Sequence, residues 1–283
     1  MIVVKLTGGL GNQMFQYAFG RALSLHYNES VMFDSFDYSI IKSFFQPAYR
    51  QMGLDVFNIK CIFLGGIASL VLRLLVKAKI LHDFKEKKLF AFDRAVFKEK
   101  FDYYVGHWQT EQYFQDIEST LRKDFEFKSK LSGRNKGMAN KIIKCNSVSV
   151  HIRRGDYLTC GALNLSDLGK YSYYQNAIAL VKKKVTNPIF FVFSDDLGWV
   201  KENMSVFFKD NVNYIDLNNI KSSYKDMHLI SLCKHNIIAN SSFSWWGAWL
   251  NKNKSKLVIA PKEWCLDKDL RVDDLIPGDW HKI

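Results

Sequence analysis

Proline is scarce in this chain, with 4 in 283 residues, and glycine is only moderate at 16. Those counts exclude collagen-like and proline-rich extended architectures. Cysteine is scattered as well: Cys61, Cys145, Cys160, Cys233 and Cys265 make an odd set with no C-x-x-C pair. Neither a disulfide framework nor a zinc knuckle follows, and buried free thiols of a reducing compartment are the expectation. A P-loop G-x-x-x-x-G-K-[ST] is missing, which excludes a Walker-type ATPase. The one D-x-D, Asp267-Lys268-Asp269, sets a lysine between its acids, so no metal site is expected. Zinc-finger spacing, a basic region with heptads and an aromatic RNP signature are absent too, so no nucleic-acid partner is expected. The N-terminus, MIVVKLT, runs into glycines with no basic n-region or long apolar h-region. No secretory signal is read, and the expected location is cytoplasmic.

What is present is core material and positive charge. Hydrophobic residues make up 48% and aromatics 15%, enough for a packed core and too much for bulk disorder. Lys+Arg number 40 against 28 Asp+Glu, a net charge of +12 that suits an anionic membrane surface or a phosphorylated substrate.

Residues 2–7 (IVVKLT) read as a buried strand, followed by the loop Gly8-Gly9-Leu10-Gly11-Asn12-Gln13, a helical pattern, and the strand Val31–Asp34. That is the opening of a nucleotide-type α/β unit. Residues 62–81 are the most apolar stretch, with Arg73, Lys77 and Lys79 at roughly helical spacing. They are too short and too charged to span a bilayer, and fit either a core helix or an interfacial amphipathic one. If interfacial, residues 66–80 would make peripheral contact with the inner face of the cytoplasmic membrane. Residues 83–100 read as surface, 101–107 as a strand and 109–117 as a short helix. Lys128–Gly137 reads as a linker. Beyond it, apolar runs at 147–153, 189–193, 212–216, 236–239 and 257–260 alternate with helical segments, the cadence of a parallel sheet.

Four groups could carry chemistry. Gly8–Met14 half-matches G-x-G-x-x-G, with Asp34 where a ribose-binding acid would lie, but Met14 replaces the third glycine. It is either a phosphate-approaching loop of a nicotinamide dehydrogenase type or a tight βα turn. His151-Ile152-Arg153-Arg154-Gly155-Asp156 ends a strand, where open α/β sheets bind ligands, and two guanidinium forks there can trap phosphate oxygens. The alternative is an ion-pair network such as Arg154 with Asp156. Ser194-Asp195-Asp196 either caps the next helix or offers a carboxylate to a base or ribose. Asn240-Ser241-Ser242-Phe243-Ser244 opens a helix whose N–H groups and hydroxyls could cradle phosphate. Trp245, Trp246 and Trp249, just after it, read as core packing ahead of ligand stacking. Three of the four groups end strands of the second half and so converge on one sheet edge, which suits a diphosphate nucleotide.

Taken in order, GGLGNQMFQYAFGRAL, HIRRGDY, FSDD and NSSFSWWGAWL resemble the bacterial α-1,2-fucosyltransferases of glycosyltransferase family 11, over residues 1 to about 264. The resemblance implies a GT-B-like α/β architecture of two Rossmann-type domains facing a cleft. Residues 1–130 would form the acceptor-side domain with loop 8–13, and residues 131–283 the domain that binds GDP-fucose. It implies inverting transfer of L-fucose, without a metal, to the 2-hydroxyl of a terminal β-galactoside in a surface glycan or oligosaccharide, and a lipid-linked acceptor is among those it would fit. Arg153 would hold the β-phosphate, with His151 and Arg154 in support. Ser194, Asp195 and Asp196 would supply the acid that reads guanosine, and Ser241, Ser242, Phe243 and Ser244 would line the phosphates. Gly11 and Asn12 would face the donor from the other domain. Asp156 is either the base that takes the acceptor proton or a residue that orients an arginine. The proton could equally pass to a histidine or to the leaving phosphate.

Overall fold

The structure is a computed structural model, and it describes residues 1–38, 51–155, 172–265, 267, 270 and 272–283. The chain divides into two compact units, one of Met1–Lys128 with Leu270–Pro277, the other of Ser129–Asp269 with Gly278–Ile283. The resemblance implies that the whole of 131–283 belongs to the second unit. Residues 270–277 instead return to the first, where Asp274 accepts the Phe92 N–H at 2.9 Å and the Gln112 Nε2–H at 2.8 Å.

The first unit holds a parallel sheet of β1 (Ile2–Lys5), β2 (Val31–Asp34), β3 (Ile62–Leu64), β4 (Asp83–Lys85) and β5 (Tyr103–Val105), in the order β3-β2-β1-β5-β4. Strand β1 is apolar and buried because it lies mid-sheet with helices over its faces. Helix α1 (Leu10–Tyr27) lays Phe15, Phe19 and Leu23 on the core. There Phe19 stacks on Trp108 at 3.9 Å between centroids and meets Tyr113 edge-on at 5.2 Å. The apolar stretch 62–81 is not one helix. It is the edge strand β3, Gly65, helix α2 (Gly66–Lys77) and a closing turn to residue 81. Strand β4 falls in the segment 83–100 expected to be surface, because three alternating residues among charges give almost no periodic signal. The helix expected at 109–117 is a pair of 3₁₀ turns, Glu111–Tyr113 and Gln115–Ile117, with helix α3 (Glu118–Asp124) following.

The second unit is built on β6 (Asn146–Ile152), β7 (Pro188–Ser194), β8 (Val212–Tyr214), β9 (His235–Ile237), β10 (Val258–Ala260) and β11 (His281–Lys282). All pair in parallel, in the order β11-β10-β9-β6-β7-β8. Helices α4 (Gly133–Ile143), α5 (Tyr173–Lys184), α6 (Leu197–Phe208), α7 (Tyr224–Leu232) and α8 (Ser242–Leu250) connect and cover it. The linker expected over 128–137 is in part the first turn of α4, whose buried Ala139 and Ile142 dock on the sheet. Trp245, Trp246 and Trp249 are core residues, as read, and Gly247 lets α8 close on Ile230 of α7, 2.5 Å from where a Cβ would stand. Of the described cysteines Cys233 is buried, while Cys61, Cys145 and Cys265 are partly exposed. Cys160 lies outside the described residues.

Candidate active site

Parallel strands point the same way, so the loops that follow them collect at one edge. In the second unit β9, β6 and β7 are neighbours, with His151 beside Phe193, Ile152 beside Ser194 and Val150 beside Ile237. Arg153-Arg154, Asp195-Asp196 and Asn240-Ser241 therefore leave three adjacent strands side by side. The convergence anticipated from the spacing is present in the register.

Asp195 organises this edge. Its carboxylate accepts the backbone N–H of Arg154 at 2.9 Å and of Gly155 at 3.1 Å, and Oδ2 lies 3.1 Å from Arg153 Nη1. A side chain at Gly155 would meet Asp195 Oδ2 at 2.8 Å, so glycine is required for that approach. Asp196 caps α6, its Oδ1 accepting the Trp199 N–H at 3.1 Å, and its other oxygen stands 3.5 Å from Arg154 Nε. The Arg154 guanidinium lies 3.6 Å over the Trp199 ring, a cation–π contact that a lysine would not reproduce. Ser194 Oγ accepts the Asp196 N–H at 3.0 Å. Both carboxylates thus serve local structure. The capping alternative holds for Asp196, and Asp195 is a clamp on the arginine turn.

His151 is buried, its carbonyl accepting the Tyr174 hydroxyl at 3.0 Å and its ring 5.6 Å from Phe243. Burial, and then the charge of Arg153, push its pKa down to about 3. The ring is therefore neutral near pH 7: it adds no cation to the arginine pair and is a weak proton acceptor. Its buried Nδ1 has no hydrogen-bond partner, an unsatisfied atom of the kind that collects at binding sites. At the start of α8, Ser241 is the N-cap residue but makes no side-chain cap bond, while Ser244 donates to the Ser241 carbonyl at 3.2 Å. Ser244 is wholly buried, whereas Ser242 and Phe243 are partly exposed. Asn240 Nδ2 donates to the Trp264 carbonyl at 2.9 Å, fixing the strand-to-helix turn.

In the first unit the glycine loop is held by side chains that sequence reasoning passed over. Gln13, fully buried, donates to the Gly8 and Gln51 carbonyls and accepts the Gly53 N–H. Gln16 accepts the Thr7 N–H and donates to the Gly106 carbonyl, and Tyr38 donates to the Gly8 carbonyl at 2.8 Å. Two glutamines on the apolar face of a helix were the available signal, since a buried amide must find partners. Gly8 has φ +79°, and a Cβ there would meet Asn12 Nδ2 at 2.6 Å. Asn12 Oδ1 accepts from Gln109 at 2.9 Å, and Gly11 is buried in the first turn of α1. Glu86 accepts the N–H groups of His107 and Trp108 at 2.7 and 3.1 Å, holding Trp108 at φ +56°. Burial, opposed by those two bonds, raises the Glu86 pKa to about 7.

Asp34 is no ribose acid. It is fully buried and taken up by Arg73 Nε at 2.7 Å, the Tyr103 hydroxyl at 2.5 Å and the Phe36 N–H at 3.0 Å. The dehydrogenase reading loses its acidic partner to the core. Asp156 lies outside the described residues. Among the described residues no group of three or more His, Cys, Asp or Glu could hold a metal ion, and no helix is long and apolar enough to cross a membrane.

Residues 1–283 match glycosyl transferase family 11 along their whole length. The chain belongs to that family. It is 35% identical to an alpha-1,2-colitosyltransferase of Escherichia coli, over 100% of this chain and 99% of the relative. It is 31% identical to the O-antigen biosynthesis glycosyltransferase WbnK of Escherichia coli, over 92% and 93%. Galactoside alpha-(1,2)-fucosyltransferase 1 of Oryctolagus cuniculus is 26% identical over 86% of this chain and 62% of its own length. The fold is also that of NodZ, an alpha-1,6-fucosyltransferase whose crystals were soaked with GDP-fucose. It superposes with TM-score 0.50 at 14% identity over 88% and 92% of the two chains. This family 11 glycosyltransferase therefore has the GT-B-like α/β architecture expected for it, with two units each carrying a parallel sheet.

Proposed function

We propose that the enzyme transfers L-fucose from GDP-fucose to the 2-hydroxyl of a terminal β-galactoside, with inversion, in a surface glycan. The observation that carries this reading is the Arg153 turn, clamped by Asp195 at the edge shared by β9, β6 and β7, in a family with α-1,2-transferring relatives. Departure of GDP leaves an oxocarbenium-like sugar and adds negative charge to the β-phosphate. A guanidinium fixed in place and the N–H groups opening α8 stabilise that charge without reorganising. Arg154, packed on Trp199, supports the same phosphates. Asn12, fixed by Gln109, and Gly11, both on the glycine loop of the first unit, are further donor-binding residues in this reading. A buried neutral His151 offers a hydrogen bond in place of charge, so the acceptor proton goes to Asp156 or to the leaving phosphate.

A second reading concerns the sugar. The relative at 35% identity is named for colitose, which is fucose without its 3-hydroxyl. A site that hydrogen-bonds that hydroxyl rejects the deoxy sugar by about 10⁴-fold, whereas an apolar one discriminates weakly. The deciding assay measures GDP release from GDP-fucose and from GDP-colitose with β-galactoside acceptors and EDTA, with the product linkage determined by NMR. An α-1,2 product from GDP-fucose sustains the first reading, and turnover with GDP-colitose alone sustains the second. Transfer from neither, or a dependence on divalent metal, overturns both. A lipid-linked acceptor, met at the inner face of the cytoplasmic membrane, completes the proposal.

A further inference from the structure

Helix α2 carries apolar side chains on two sides, and one of them does not meet the core. Leu72 and Val76 pack on Val3 and Tyr103 of the sheet, and Ser69 is fully buried beside them. On the opposite side Ile67, Leu70, Val71 and Leu74 follow the i, i+3, i+4, i+7 rule of a single helical stripe, and all four face solvent. Their exposures are 81%, 47%, 48% and 57%. Ile62 on β3 and Ile80, just beyond the helix, are exposed as well. Single apolar side chains on a surface are ordinary, but a stripe this regular is not.

Charge selects the occupant. From residue 56 to residue 82 the chain has no Asp or Glu, while Lys60, Arg73, Lys77 and Lys79 lie within that span. Arg73 is not part of the outward charge. It turns inward to Asp34 at 2.7 Å and Asp37 at 3.0 Å and lies over the Phe36 ring. Lys77 is exposed in the last turn of α2, and Lys79 is exposed just past it, 3.7 Å from Asp83. A second copy of the chain seated on this stripe about a two-fold axis would bring like-charged lysines together. An anionic lipid surface meets the lysines with opposite charge and the stripe with acyl chains.

We infer that the solvent-facing stripe Ile67, Leu70, Val71 and Leu74, with Lys77 and Lys79, is the surface by which the enzyme docks on an anionic membrane. This builds on the membrane-side part of the function proposed above, but vesicle binding is read apart from transfer, so either can fail alone. The full chain is sedimented with vesicles of phosphatidylglycerol and phosphatidylcholine in equal parts, and with phosphatidylcholine alone. The wild type binds the anionic vesicles at low salt and is released by added salt. Lys77→Ser with Lys79→Ser lowers partitioning about tenfold or more, since each lysine near such a surface is worth roughly fivefold. Ile67→Ser with Leu74→Ser abolishes binding, while turnover on a soluble acceptor stays within about twofold, as for surface changes away from the site. No binding of the wild type to anionic vesicles, or equal binding by Ile67→Ser/Leu74→Ser, overturns the inference. So does a wild-type dimer in analytical ultracentrifugation that this double variant makes monomeric.

Discussion

Arg153 and Asp195 hold one another across neighbouring strands, with Nη1 3.1 Å from Oδ2. The same carboxylate fixes the two peptide N–H groups that follow the arginine, so it sets both the turn and the direction of the fork. Both side chains are 25% exposed, too wet for the pair to matter chiefly as a source of stability. Asp195→Asn keeps an acceptor but loses the charge. The expected result is a donor KM raised about tenfold with a smaller fall in kcat, because donor binding is lost before chemistry. Calorimetry with GDP checks it, and an unchanged donor affinity removes Asp195 from its positioning role.

Arg153 itself has a larger predicted effect. Arg153→Ala removes a fork aimed at developing phosphate charge, a change worth about 2–5 kcal/mol, or roughly 30-fold to several-thousand-fold in rate. Arg153→Lys fails too, since a point charge does not reproduce two parallel N–H donors. Initial rates with GDP-fucose measure both variants. Retention of activity within about threefold by either one rejects the assignment.

Asp156 is one of the two proton acceptors named above, and the prediction for it separates two roles. As a base, Asp156→Asn keeps its affinity for GDP-fucose and loses turnover by about 10²–10⁴-fold. As an orienting residue it loses donor affinity as well. Calorimetric titration of the variant with GDP distinguishes them, and weakened binding moves Asp156 to the donor-binding residues.

Arg73→Leu is expected to destabilise the first unit without touching donor affinity. It strands the Asp34 carboxylate, which has no exposed surface, and breaking a buried pair on one side costs about 3–5 kcal/mol. The Tyr103 hydroxyl and Phe36 N–H remain on Asp34, which puts the cost toward the low end. Urea unfolding measures it. A change below about 1 kcal/mol, the value of an exposed pair, means that Asp34 and Arg73 are not coupled as drawn.

Acid sensitivity follows from His151. Its folded pKa, about 3, lies below its ordinary 6.5, so below pH 6.5 the unfolded chain takes up a proton that the folded one refuses. Stability from this group is present above that value and falls by about 1.4 kcal/mol per pH unit down toward the folded pKa. His228, pushed to about 4 by burial, acts in the same direction. Asp226 and Glu86, raised to about 6 and about 7 mainly by burial, act in the opposite one. The difference between wild type and His151→Asn isolates the His151 contribution. Its unfolding free energy is expected to lose one proton's worth of pH dependence below pH 6.5, and parallel curves for the two proteins contradict a buried neutral His151.

The residues alone determined a good deal of this protein. Apolar runs at βα spacing mark the middle of the second unit's parallel sheet, because β6, β7, β9 and β10 are buried along most of their length and their composition says so without context. The ends of those runs located the arginine, acid and serine clusters, and four ordered motifs pointed to the family. What only the tertiary structure decided is how the polar groups are paired. Asp34 stands where a ribose acid would stand, yet it belongs to Arg73, 39 residues away. Asp195 reads as a ligand carboxylate or a cap and is a clamp on Arg153, and two glutamines to which the sequence reading assigns no role, Gln13 and Gln16, hold the glycine loop from inside. Helix α2 has one apolar pattern on two sides, and only its packing shows which side meets the sheet. Hydrophobic periodicity is local and survives in sequence, whereas a buried charge or amide is satisfied by whatever the fold brings to it.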